Sequence, residues 1–299
     1  MPSHQRPIFA LGLRLLAMVM LSVMLLFVKL TGERGMKLPE TMFWRQLLPA
    51  LFIFGWLSAR GQLGRLATAR PWIHARRAFI GTCGMFLTLG VVQILPLAES
   101  TVLGFTAPMF AVILAALFLK EKVGVWRWTA VGLGLTGVLI IAGPDRGNLP
   151  WLGLAVGIGA AFMVALVSIQ LRELGRTEEP VTVVFYFSAF SVPPLALFLF
   201  WTGVHHDLTG WLLLMGIGVF GLVAQICMTA ALRFGSVSSV IVMDYSQLAW
   251  ATLWGWLVFD HLPPASTWIG APAIIAAGLV IAWREHVLSR EKAVGPVNA

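Results

Sequence analysis

The sequence predicts an all-α integral membrane protein with ten transmembrane helices, and three observations lead there. Apolar runs follow one another almost without a gap from Ile8 to Trp283, each near the roughly 20 residues that cross a bilayer. The composition is 59% hydrophobic and 11% charged, against about 25% charged in soluble domains. Basic residues gather in alternate connectors, as expected of a chain threading back and forth across a membrane.

In order, the predicted spans are 8–29, 38–57, 76–94, 97–119, 126–143, 151–171, 181–202, 210–232, 236–259 and 266–284. The first continues to Leu30 with no small-residue cleavage site, so it reads as a retained helix and not a removable signal. With the N-terminus in the cytoplasm, the inner side receives Arg6, Arg14, Arg60, Arg65, Arg70, Arg76, Arg77, Lys120, Lys122, Arg127, Arg172, Arg176, Arg233, Arg284, Arg290 and Lys292. The outer side receives Lys29, Arg34, Lys37 and Arg146, while Arg45 falls within a span. Sixteen against four is a strong positive-inside bias and places both termini in the cytoplasm.

The formal charge of +8 does not indicate nucleic-acid binding, because no aromatic-interleaved basic patch is present to track a phosphate backbone. Cys83 and Cys227 lie far apart within apolar spans and have no His or Cys at ligand spacing, so neither a disulfide framework nor a metal site is expected. The strings Gly132-x-Gly134-x-x-Gly137 and Gly216-x-Gly218-x-x-Gly221 lie inside apolar spans, not between a strand and a helix, so they read as close-packing surfaces, as does Gly153-x-x-x-Gly157.

The two halves resemble one another. One apolar run begins at Glu99 and passes Pro108 to end at Glu121; another begins at Ser238 and passes Asp244, Tyr245 and Gln247 to end at Asp260. Each is followed by a Trp-bearing, glycine-containing helix, Trp128 to Gly143 and Trp268 to Gly278. Five spans is an odd number, so the second copy sits inverted relative to the first. The chain divides into repeats 1–149 and 150–285 with a cytoplasmic tail 286–299. Inverted repeats mark secondary transporters, which hold substrate near the midplane between the copies.

The segment LPLAESTVLGFTAPMFAVILAALFLKEKVGVWRWTAVGLGLTGVLIIAGP (95–144), with FWRQ at 43–46 and AALRFGSVSSV at 230–240, resembles the drug/metabolite transporter superfamily, in its ten-helix, bacterial EamA-type branch. The resemblance runs from about residue 8 to 284. It implies a basket-like bundle whose central cavity is lined mainly by helices 1, 3, 4, 6, 8 and 9. It also implies residence in the bacterial inner membrane and export of small metabolites, amino acids foremost, aromatic or otherwise apolar, or amphipathic compounds. Carriage of nucleotide sugars, vitamins or drugs is the alternative within the superfamily. Asp260 replaces the glutamate usual there, and Gln247 stands where the first half has Pro108, so the halves line the cavity unequally.

Ionisable residues inside spans are the candidates for function. Arg45, six residues past Pro39, lies about 9 Å in from the outer side; Glu99, three past Pro96, lies about 4.5 Å in from the same side. Their similar depths predict an Arg45–Glu99 pair at the outer mouth, either a clamp or a site for a substrate carboxylate. Asp244, eight residues past Ser236, sits about 12 Å from the inner face with no partner in the sequence. Burial disfavours its charged form, which suits proton coupling; it could also attract a substrate ammonium, or cap a backbone break. Tyr245, Gln247, Gln225 and Gln93 are further substrate-binding candidates, with interhelical hydrogen bonding the alternative for the amides. Pro108 is the hinge candidate. Trp250, Trp254 and Trp256 read as lipid-facing or interfacial anchors, and His205, His206 and Asp207 as a solvated turn.

No P-loop, paired-aspartate or H-E-x-x-H cluster is present, so neither an ATP-driven pump nor an intramembrane enzyme is expected. The expected partners are a small-molecule substrate, protons and the bilayer, with no cofactor. A monomer suffices for the pathway.

Overall fold

The computed structural model describes residues 7–118, 123–143, 150–174, 177–203, 205–234 and 242–294. All regular structure among them is helical. The helices are α1 (Pro7–Glu33), α2 (Leu38–Ala59), α3 (Pro71–Ile94), α4 (Leu97–Gly104), α5 (Ala107–Phe118), α6 (Val125–Ala142), α7 (Trp151–Leu174), α8 (Pro180–Thr202), α9 (Leu208–Phe234), α10 (Ser246–Phe259) and α11 (Ala265–Val294). Short 3-10 turns occupy Leu63–Leu66 and Val242–Tyr245.

Local sequence accounts for many of the ends. Pro39, Pro71 and Pro180 stand in the first turn of α2, α3 and α8, where a missing N–H costs nothing. Gly143 closes α6 in the left-handed region at φ 48°, and Asp260 closes α10 at φ 50°, a conformation Asp tolerates better than most residues.

Eight helices are long and apolar enough to cross a membrane. Two of the ten expected spans fall short for identifiable reasons. Arg45 and Gln46 interrupt the apolar stretch of α2. The 14 residues of α10 are fewer than the roughly 20 that a full crossing needs. Residue Glu121, the expected end of the first repeat's apolar run, lies outside the described residues. No separate tail begins at 286; α11 continues to Val294.

The distribution of residues is that of a membrane protein. Phe200, Trp201, Ile8 and Phe79 are among many large apolar side chains facing outward. Exposed tryptophans sit close to helix ends, with Trp72 second in α3, Trp126 second in α6 and Trp151 first in α7. Tryptophan at both ends of the helices is the pattern of interfacial belts. Trp256 is exposed as expected, but Trp254 turns inward and donates from Nε1 to Ser22 Oγ at 3.1 Å.

Most of the packing runs between the two halves of the chain. Helix α1 lies along α9, α2 along α8, α3 along α7, α4 against α10, and α6 along α11. The glycine strings serve this contact. A side chain at Gly137 would strike the Gly270 carbonyl and Ile274 of α11, and one at Gly157 would strike Leu103 of α4. Backbones that approach this closely exclude anything larger than glycine.

Candidate functional site

A central cavity of about 480 Å³ lies among these helices. Helix α1 contributes Met18, Leu21, Met24 and Leu25; α3 contributes the face from Arg77 to Val92; α7 contributes the small residues Gly157, Ala160 and Ala161. The lining comes mainly from the helices that the family resemblance implied, with single side chains added by α2 (Arg45) and α8 (Phe187).

Two interrupted spans meet at the cavity. In the first, α4 stops at Gly104 and α5 starts at Ala107, leaving Phe105 and Thr106 between them. Pro108 is the second residue of α5; without an N–H it cannot bond back to Gly104, so a continuous helix loses a rung there. Thr106 Oγ1 donates to the Leu103 carbonyl at 2.6 Å and meets some of the local demand. In the second, the turn Val242–Tyr245 leads into α10, whose second residue is Gln247. Phe105 and Tyr245 touch edge to face, with ring centroids 5.0 Å apart. The Tyr245 hydroxyl lies over Gly278, in space that any Cβ there would fill.

Pro108, Arg45, Asp244, Tyr245 and Gln247 thus all face the cavity, whereas Gln93, Gln225 and Glu99 do not. Gln225 is exposed on α9. Gln93 packs its side chain on Gly32, and its carbonyl accepts Lys29 Nζ at 3.2 Å.

Asp244 is not unpaired. Arg14 grips it with two hydrogen bonds, Nε to Oδ1 at 2.5 Å and Nη2 to Oδ2 at 2.6 Å. Charge counting alone puts Arg14 among the loop residues, yet it is seven residues inside α1, about 10.5 Å along the helix. That is the level expected of Asp244 itself. The pair ties α1 to the turn that precedes α10.

The expected Arg45–Glu99 pair is absent. The two residues share a depth but not a direction, because α2 and α4 are not packing neighbours. Arg45 instead directs Nη1 to Met85 Sδ at 2.7 Å and Nε to Met24 Sδ at 3.4 Å, with Gln46 Oε1 at 3.4 Å. Glu99 is 1% exposed, and its nearest ionisable neighbour is His261 at 3.8 Å.

Arg77 is the cavity residue that sequence alone does not reveal. Apolar periodicity starts the span at residue 76 and leaves Arg77 with the loop charges, whereas α3 starts at Pro71. Its guanidinium lies 4.6 Å from the Phe187 ring centroid, and neither Nε nor Nη1 has a hydrogen-bond partner.

The end of the bundle near α9 holds a second correction. His206 is buried, with Nε2 2.6 Å from Glu40 Oε1, and so does not belong to a solvated turn. Asp207 accepts the Gly210 N–H at 2.8 Å and caps α9. That hydrogen bond, more than the neighbouring Arg34, holds its carboxyl below the usual carboxylate range. No cluster of three or more metal-ligating side chains occurs among the described residues.

The sequence profile of the EamA-like transporter family matches residues 8–143 and, separately, residues 151–283. The chain belongs to this family, within the drug/metabolite transporters. A riboflavin transporter of Vibrio cholerae serotype O1 is 33% identical over 245 residues, covering 80% of this chain and 81% of its own. The pseudopaline exporter CntI of Pseudomonas aeruginosa is 28% identical over 275 residues, 90% of this chain and 94% of its own. Mouse solute carrier family 35 member G1 is 26% identical over 286 residues, 88% of this chain and 75% of its own. One crystal structure with 18% sequence identity has the same fold, with a TM-score of 0.60 across 91% of this chain and 98% of its own. The chain is therefore a multi-pass membrane transporter for a small molecule.

Proposed function

We propose that this protein is a secondary carrier of the bacterial inner membrane that exports a small, largely apolar metabolite through the central cavity by alternating access. Amino acids, aromatic ones in particular, are the specific reading. The observation that carries the proposal is the cavity itself, built by helices from both halves of a chain whose two halves each match the family profile.

Ten spans in two inverted sets of five support this mechanism. The break between α4 and α5 splits one span, and the turn at Val242–Tyr245 with α10 completes another. Exchanging first-half spans for their second-half counterparts turns the α1–α9 contact into the α7–α3 contact. It leaves the α2–α8, α4–α10 and α6–α11 contacts unchanged. A pairing pattern that maps onto itself is what two related halves produce, and rocking one set against the other would open the cavity to each face in turn. Both termini are cytoplasmic in this arrangement.

The Arg14–Asp244 pair would lie toward the cytoplasmic side. Protonation of Asp244 would release Arg14 and free α1 from the turn before α10, which couples proton movement to opening. Pro108 and Gln247 begin the helices that pivot. A vitamin carrier is the second reading, favoured by the 33% identity to a riboflavin transporter. Counterflow in proteoliposomes decides between carrier and channel, with aromatic amino acids and riboflavin as probes. Uptake that saturates and is accelerated by the same solute inside marks alternating access; unsaturable uptake without acceleration contradicts it.

A further inference from the structure

Arg45 and Arg77 face one cavity, and neither has an anionic partner among the described residues. Arginine stays protonated in proteins, so both are charges without a counter-charge. Their contacts are weak: two thioether sulfurs and an amide oxygen for Arg45, one aromatic face for Arg77. A buried charge held this way stands in an unfavourable state that a desolvated oxyanion would relieve through paired N–H···O bonds.

The neighbours keep both guanidinium groups available. Arg77 is 7% exposed, and its side chain lies along Gly81, where any Cβ would collide with both the guanidinium and Phe187. Glycine at 81 therefore lets Arg77 run along α3 towards Arg45. Arg45 meets α3 at Met85, four residues further on, so the two guanidinium groups are about 6 Å apart along the helix. The single acid lining the cavity, Asp244, is already held by Arg14. The remaining lining is largely apolar: Met18, Met24, Phe105 and Phe187.

We propose that the cavity recognises its substrate as an organic anion, with a carboxylate gripped between Arg45 and Arg77 and an apolar body against the methionine and aromatic lining. This deepens the carrier reading above and rests on it. A neutral solute leaves both arginines unsatisfied, and a lone ammonium finds no free carboxylate in the cavity.

Three matched acid and amide pairs test it on the purified full-length protein: N-acetylphenylalanine, phenylacetate and benzoylglycine, each against its uncharged amide. Binding is read from thermal stabilisation. The expected result is at least tenfold tighter binding of acid than amide. Arg45→Gln and Arg77→Gln should each abolish the preference, and Arg77→Lys should keep some of it. Gly81→Ala, which leaves every charge in place but crowds Arg77, should weaken it. Equal responses to acid and amide, including none to either, overturn the proposal, as does a preference that survives both glutamine variants. Counterflow of the same probes tests the carrier reading separately. Acid preference in binding without counterflow of any probe sinks the carrier and leaves the anion site. Counterflow of amides at the rate of acids sinks the anion site and leaves the carrier.

Discussion

The interruption between α4 and α5 and the one before α10 place two broken spans at the same cavity, but with different chemistry. The first is neutral and self-contained: Thr106 satisfies a carbonyl of its own turn, and Phe105 is the side chain it offers to the second break. The second carries Asp244, and that carboxylate is committed to Arg14 on another helix. One backbone device has thus been furnished twice, once with an aromatic ring and a proline and once with an ion pair. The difference implies that movement at the first break is limited by packing alone, whereas movement at the second must also separate opposite charges.

Disrupting the charged break should have the largest effect. Arg14→Ala leaves Asp244 uncompensated and is expected to cost about 3–5 kcal/mol, the range for breaking a buried pair. Arg14→Met combined with Asp244→Leu should recover most of that loss, giving a large coupling energy in a double-mutant cycle read by denaturation in detergent. A loss below about 1 kcal/mol, typical of an exposed pair, would mean that the pair ties nothing. In proteoliposomes, Asp244→Asn should remove the pH dependence of transport. Unchanged pH dependence would take Asp244 out of coupling.

An intermediate effect is expected where the two breaks meet. Gly278→Ala pushes a methyl group into the space of the Tyr245 hydroxyl and should cost about 1–3 kcal/mol, as overpacking does. Tyr245→Phe in the same chain should relieve most of it. If it relieves nothing, the contact between Tyr245 and Gly278 is not what fixes the second break.

The smallest stability change belongs to the neutral break. Pro108→Ala restores a donor for the Gly104 carbonyl and should alter stability by less than about 1 kcal/mol. Counterflow should nevertheless slow severalfold, because fusing α4 to α5 stiffens the pivot. A parental rate would make the break a static bend.

Much of this is legible in the sequence, and the gaps have physical causes. Span positions follow from apolar length, and Pro108 and Gln247 fall at matching places, each second in its helix. Arg14 is hidden by its closeness to the N-terminus, although the depth rule applied to Asp244 places it at the same level. Arg77 is hidden because His74 and Arg76 make the first turn of α3 look like a loop. The Arg45–Glu99 error shows that depth along a helix can be read from sequence, while direction around it depends on which helices pack together. Burial of His206 against Glu40 carries no sequence signal, since the two are joined only by the fold.

The most direct test is chemical access to the cavity from both faces. Thr88→Cys on α3, in a chain whose Cys83 and Cys227 are replaced, places one thiol on the cavity wall. A membrane-impermeant maleimide is applied to right-side-out and to inside-out vesicles. Labelling from both faces, slowed at each by a transported solute, is the expected result. Labelling confined to one face under every condition would contradict alternating access through this cavity.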